Sequence, residues 1–327
     1  MPIEWTSDPA AFAAPEWAGL VRDDPEGTFF HSPRYLKLYW EEFGAADLQI
    51  AMLREDGETT AAAAFDLRRG RLSFLGGTEV TDYMGPVGPA AARDRAAKEL
   101  MRAIVGRDDW RSADLRGLPE DGSWIRALAI GAADAGLEVE VRKDGVALVL
   151  DLPASYDEYM RSLSPRRRHE IRRKERRLRE ALPDTRLDDA TPETLAEDLD
   201  RFVELHRSST GPKGKFMEPG MELFFRRLGD ALLPDGVFRL AFLEAGGTRI
   251  ASAVAFRDRD RDRLLLYNSA YDRSQSPLSP GIVLVAQLIR EAIDEGLRAV
   301  DMLKGNLRYK YQLGARPRRV CRVLLRR

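Results

Sequence analysis

Two stretches near the C-terminus combine residue types that can do chemistry. In Tyr271-Asp272-Arg273-Ser274-Gln275-Ser276-Pro277-Leu278-Ser279-Pro280-Gly281, a strand over 264–270 passes through a polar turn into a helix. That arrangement aims backbone N–H groups and the positive helix end at one place, which suits an anion or a phosphate. Gly281 would let a ligand approach the backbone closely, although a plain Ser-Pro cap explains the same residues. Backbone N–H groups of the strand around Asn268 and Ser269 could hold a carbonyl oxygen. These two, with Ser279 and Gly281, are the donor-binding candidates, and Tyr271 stands beside them. The second stretch, Asp301-Met302-Leu303-Lys304-Gly305-Asn306-Leu307-Arg308-Tyr309-Lys310, ends a strand at a Lys-Gly break. Loops after strand C-termini are where open α/β sheets place ligands. Lys310 could neutralise phosphate or a developing oxyanion, with Lys304 close by in sequence, and Tyr309 could protonate a leaving group. Asp301 or Asp272 could steer or deprotonate an attacking amine. The competing readings are a solvated Lys310, a core Tyr309 and a structural Asp301.

The elements that must position these residues occur twice. Leu48–Ala64 and Phe238–Val254, 190 residues apart, each read as two apolar strands broken by a turn, Asp56-Gly57 and Gly246-Gly247. Asp-Gly and Gly-Gly between such strands are hairpin signals. A third strand follows each hairpin (Arg71–Leu75 and Arg263–Asn268), then a helical pattern (Ala91–Val105 and Gly281–Glu295), then a strand carrying Asp114 or Asp301. The order predicts a duplicated α/β module, with residues 1–150 as the first copy and 151–327 as the second. In the first copy Ala90–Ala92 replaces the Ser-Pro-Gly turn, so no donor site is expected there. Helices are also expected over 9–22, 33–43, 155–163, 164–182, 192–207 and 219–233. Ser164 caps the fourth of these, with Pro165 in its first turn.

The net charge of −1 hides a division. Residues 1–150 carry 17 Lys+Arg against 26 Asp+Glu, and the remainder carries 35 against 27, so a half at −9 is joined to one at +8. The stretch 161–179 alone holds ten basic and two acidic residues. Arginines such as Arg166, Arg168 and Arg172 exceed the carboxylates available to pair with them, which suggests a phosphate-bearing ligand: tRNA, a nucleotide-linked sugar or CoA. The helix lacks interleaved aromatics, so base stacking is not indicated. Lys213 and Lys215 lie in the loop 208–215, which His206 opens; a packing role is the plainer account of that histidine.

At 44% hydrophobic and 32% charged, the composition is that of a folded domain pair rather than a disordered chain. One cysteine and three scattered histidines argue against disulfides and a structural zinc. No apolar run reaches the ~18–20 residues of a membrane helix. With no signal peptide evident, a cytoplasmic location is the expectation.

Ser-Pro-Gly, helix, Asp-Met-Leu-Lys-Gly and Tyr309-Lys310, preceded by Ser164-Pro165-Arg166-Arg167-Arg168-His169-Glu170-Ile171-Arg172-Arg173, resemble the GNAT-fold acyltransferases of the CelD-like group. These are relatives of the Fem-type peptidyltransferases. His31-Ser32-Pro33 and Tyr83-Met84-Gly85-Pro86-Val87 also look like the family, so the similarity spans most of the chain. The resemblance implies an α/β (α+β) fold of two tandem GNAT-like modules, with mixed sheets flanked by helices. It implies acyl transfer to an amine of a small molecule, an amino sugar or a cell-envelope precursor. Acyl-CoA such as acetyl-CoA would be the donor, aminoacyl-tRNA the alternative, and no metal is needed. Ser276–Gly281 would take the place of the acyl-CoA pyrophosphate loop. Only Gly281 fits that loop's usual signature, because Ser276 and Ser279 depart from it. The Tyr309-Lys310 pair matches the Tyr-Lys stretch near the reacting centre of the Fem relatives. A non-catalytic nucleic-acid-binding or scaffold protein is the remaining alternative.

Overall fold

The computed structural model describes residues 3–44 and 47–327, with the side chains of residues 212 and 213 outside that description. The chain divides into two compact units, 1–147 with 318–327, and 148–317. Residues 318–327, though last in the chain, belong to the first unit.

In the first unit the chain runs through β1 (Ile3–Thr6), a 3-10 turn (Pro9–Ala13), α1 (Pro15–Asp23) and α2 (Pro33–Phe43). The single helix expected over 9–22 is thus broken at Pro15, whose missing N–H starts a new helix. Next come β2 (Asp47–Glu55), β3 (Glu58–Arg68), β4 (Arg71–Phe74), α3 (Arg93–Val105), β5 (Ser112–Pro119), α4 (Ser123–Asp134) and β6 (Glu138–Asp151). β6 carries the chain into the second unit.

That unit begins with α5 (Tyr156–Ser162), the basic helix α6 (Pro165–Ala181), β7 (Arg186–Asp189), α7 (Leu195–Arg207), α8 (Pro212–Phe216) and α9 (Pro219–Leu232). It continues as β8 (Phe238–Ala245), β9 (Thr248–Asp258), β10 (Arg263–Tyr271), α10 (Pro280–Asp294), β11 (Ala299–Lys304) and α11 (Arg308–Gln312). β12 (Arg316–Arg326) then returns to the first unit and pairs antiparallel with β5.

The repeat extends to the register. β2 and β3 form an antiparallel hairpin with a bulge between Leu53 and Arg54, and β8 and β9 carry theirs between Leu243 and Glu244. Both hairpins turn through two residues of positive φ, 50° and 87° at Asp56-Gly57 and 56° and 78° at Gly246-Gly247, the combination a tight primed turn requires. β4 lies parallel to β5 with Ser73 opposite Asp114, while β10 lies parallel to β11 with Leu265 opposite Asp301. In each unit the strands are antiparallel up to β4 or β10, which lies parallel to the strand that follows; in the first unit β12 then adds antiparallel to β5. On one face of the first unit's sheet, α3 and α4 pack over a core that includes Phe65, Leu115 and Met101. In the second unit α7 and α10 both contact β9 and β10, and all of β8 is buried.

Candidate active site

The second unit's sheet opens where β10 outruns β11. Their parallel ladder covers only Arg263–Leu265 against Ala299–Asp301, yet β10 continues to Tyr271. Beyond Leu265, the β11-side backbone groups of β10 therefore have no ladder partner among the described residues. A register shift between Leu266 and Asn268 turns this end of β10 further. Asn268 and Ser269 lie on the freed stretch. The structure brings Tyr309 of α11 to Ser269, where burial pushes the phenol's pKa up against a hydrogen bond with the serine. A phenol so held stays protonated at neutral pH and is a hydrogen-bond or proton donor.

On the other side of the strand, His206 Nε2 stands 3.1 Å from Asn268 Oδ1. The imidazole is buried and packed between Phe202 and Phe216, with ring centroids 5.8 and 5.6 Å away. His206 therefore fills both roles, a packing residue whose remaining face fixes Asn268. A lone histidine at a helix end gives no such signal in sequence, because Asn268 is 62 residues away.

The turn between β10 and α10 is built by its own side chains. Asp272 accepts from Ser274 N at 2.9 Å and Ser274 Oγ at 2.8 Å, capping the 3-10 turn Arg273–Leu278. Ser279 follows in the left-handed conformation (φ 55°, ψ 45°) with its side chain free of any capping bond, and Pro280 opens α10. What reaches Ser279 is Lys174 of α6, whose Nζ donates to Ser279 Oγ at 3.0 Å. A cation at the positive end of a helix is electrostatically unfavourable unless an anion joins it. Lys174 is mostly buried and also lies 3.2 Å from Glu170. It shares a helical stripe with the buried Ile171 and Leu178, three residues on and four back, and that spacing was the available signal for it.

Three sequence expectations change here. Lys310 is neither solvated nor aimed at a ligand: it is buried, and its Nζ donates to the carbonyls of Met302 (2.5 Å), Leu303 (3.2 Å) and Lys304 (3.0 Å). Those bonds engage its three protons and bind the end of β11, where Leu303 and Gly305 take φ of 58° and 119°. Asp301 is buried too, and its Oδ1 accepts from Leu303 N at 2.8 Å, so it shapes the same strand end instead of meeting an amine. At Gly281 a Cβ would stand 3.1 Å from the ring of Tyr271, so the missing side chain makes room for that tyrosine. Tyr271 itself is 38% exposed beside the turn.

The remaining candidates lie apart. Arg166 and Arg172 are exposed and Arg168 partly so, and none forms an ion pair with a described carboxylate. Lys215 is exposed on α8, Lys304 is half-buried, and the side chain of Lys213 lies outside the described residues. No group of acidic, histidine and cysteine side chains among the described residues could hold a metal.

Residues 165–311 match a family model described as an acetyltransferase (GNAT) domain. This segment is a GNAT acetyltransferase domain. The chain is accordingly an acyltransferase. Solved structures of similar fold cover nearly all of it. A conserved protein of unknown function from Bacteroides thetaiotaomicron aligns over 99% of this chain and 100% of its own, with a TM-score of 0.69 and 12% identity. FemX aligns over 98% and 96%, at a TM-score of 0.66 and 11% identity. The C-terminal domain of a putative lysylphosphatidylglycerol synthetase from Agrobacterium fabrum aligns over 97% and 92%, at 0.59 and 14%. At such identities the likeness is one of fold. No curated protein matches the sequence. No helix among the described residues is long and apolar enough to cross a membrane.

Proposed function

We propose that the GNAT domain transfers an acyl group from acyl-CoA to the primary amine of a small molecule, an amino sugar or a cell-envelope precursor. The observation that carries this reading is the opening between β10 and β11 with the Lys174–Ser279 contact at the start of α10. The domain residues fit an anionic donor: Lys174, the Ser279 hydroxyl and the first turn of α10 form a cationic corner into which a diphosphate would bring the missing negative charge. Pro277 and Pro280 supply no N–H, so the lysine takes over work that a glycine-rich turn does with backbone donors.

The chemistry asked of the chain is modest. The freed backbone of β10 would hold the thioester carbonyl as its oxygen gains charge. Asn268, fixed by His206, would orient the donor's amide linkages. Tyr309 would give its proton to the departing sulfur. Lys310 and Asp301 act one step back, holding the end of β11 open; they are positioning residues. Asp301 is engaged within β11 and Asp272 caps its own turn through Oδ1, so the amine would arrive unprotonated, attack the carbonyl and give up the proton of the new C–N centre to water as the thiol leaves.

A second reading is aminoacyl transfer from tRNA, favoured by the α6 arginines Arg166, Arg168 and Arg172, which no carboxylate among the described residues neutralises. The two separate in one pair of assays: release of free thiol from acetyl-CoA with an amine panel, and transfer from charged tRNA. Thiol release dependent on an amine supports the first reading. Transfer from tRNA alone rejects it.

A further inference from the structure

The first unit, where no donor turn exists, carries an open groove of about 630 Å³ over the sheet face opposite α3 and α4, within the range of ligand pockets. Two cross-strand rows floor it. Asp66, Ser73 and Asp114 face one another across β3, β4 and β5, and beside them run Arg68, Arg71 and Ser112. Side chains paired this way share one face of the sheet.

The sister unit shows that the fold does not require this polarity. There the position of Asp66 and Ser73 is taken by Phe256 opposite Leu265, both buried, leading to Asp301. The module is built equally well with an apolar pair at that place. A polar row retained in only one copy calls for another cause.

The row is also electrostatically incomplete. Asp66 Oδ1 and Asp114 Oδ1 are buried without a hydrogen-bond partner, although Asp114 Oδ2 receives Arg71, Arg116 and Arg322. Buried polar atoms are normally satisfied, so each orphan points to a missing donor. Burial pushes the Asp66 carboxyl up to about 6, with the Arg68 charge opposing. At the rim, Arg68 and Arg69 are exposed and form no ion pair among the described residues. Four arginines thus face two aspartates in a unit that carries 22 Lys+Arg against 26 Asp+Glu, a net −4, so the groove is a positive spot on a mildly negative unit. Gly77 closes one wall, where a Cβ would come within 2.6 Å of the Tyr39 hydroxyl.

We propose that this groove binds a phosphorylated ligand that also carries an amine, with Arg68 and Arg69 on the phosphate and Asp66 on the amine. Guanidinium forks match phosphate oxygens, and an ammonium supplies the donor that Asp66 Oδ1 lacks. The acidic and basic rows are two residues apart along the strands, a spacing of about 7 Å that sets the distance between the ligand's two groups. An amino-sugar phosphate has that reach. The site stands whether or not the GNAT domain uses acyl-CoA.

Calorimetric titration of the full chain with glucosamine 6-phosphate, glucose 6-phosphate and glucosamine tests it. Glucosamine 6-phosphate should bind at least tenfold tighter than either of the others. Asp66→Asn should remove that advantage and leave glucose 6-phosphate unchanged, while Arg69→Asn, which suits the left-handed backbone there, should weaken both phosphates. The double change Asp66→Phe with Ser73→Leu installs the sister unit's residues and should abolish binding. If that pair unfolds the chain, Asp66→Asn carries the test alone. Absence of binding by all three probes at millimolar concentration, equal affinity for the two phosphates, or an unchanged Asp66→Asn titration would each overturn the proposal.

Discussion

The two units start their central helix in opposite ways. At α3 of the first unit, Arg93 is buried in the first turn and fixed on Asp24 and Glu26, with Asp24 also receiving Gly88 N (3.0 Å) and Trp124 Nε1 (2.7 Å). The chain's own carboxylates and guanidinium close that helix end. At α10 the corresponding place holds Ser279 and Pro280, and the charge that touches it is the Lys174 ammonium, whose one carboxylate, Glu170, is shared with Arg173. One helix end is neutralised from within, and the other is left a cation in excess. The same backbone therefore yields a sealed structural joint in one copy and, in the function proposed above, an anion site in the other. The difference lies in which residues supply the negative charge.

The sharpest way to break this contrast is at the sealed joint. Arg93→Ala strands two carboxylates in the interior, and breaking a buried pair of this kind costs about 3–5 kcal/mol. Denaturant melts should show that loss, with the affinity for acyl donor untouched in the folded fraction. A loss under 1 kcal/mol would mean the joint is not what the geometry suggests.

Lys310→Met leaves three carbonyls at the end of β11 without their donor, and a destabilisation of about 2–4 kcal/mol is expected. Acyl transfer should fall steeply, but the residual activity should keep the wild-type pH profile, because the lysine is not itself a proton carrier. A profile that lost a limb would restore it to a catalytic role.

Asp66→Asn probes the polar row of the first unit through pH. The folded carboxyl titrates at about 6 against an ordinary 3.8, so the folded state holds its proton more tightly. Its burial penalty is absent below the lower value and complete above the upper one. The variant should be about 1–3 kcal/mol more stable than wild type at pH 8, and the gap should close by pH 4. A gap independent of pH would point to a packing effect instead.

The repeat was legible in sequence because hairpins announce themselves locally, through Asp56-Gly57, Gly246-Gly247 and the alternation around them. The short edge strands β1 and β7, of four residues each, lie below the length at which periodicity speaks. β12 opens with Arg-Pro-Arg-Arg and pairs with β5 some 200 positions upstream, a non-local choice with no local mark. In the site, the turn before α10 and the Asn268-Ser269 stretch were readable, since strand, turn and helix follow one another directly. The work of Lys310 and Asp301 was not. It depends on a left-handed Leu303 that gathers three carbonyls inward, a backbone choice that residue types do not advertise. Lys174 escaped notice for the opposite reason, one useful cation inside a run of ten basic residues.

The smallest of these effects is also the most direct test. Steady-state thiol release from acetyl-CoA, in the presence of an accepted amine, should be compared between wild type and Lys174→Met. Losing one charge-assisted contact to the donor is worth about 1.4 kcal/mol, a tenfold rise in the donor's KM, with kcat and melting temperature nearly unchanged. An unchanged KM, or no thiol release with any amine while transfer from charged tRNA proceeds, would contradict the assignment of the α10 helix end as the acyl-CoA site.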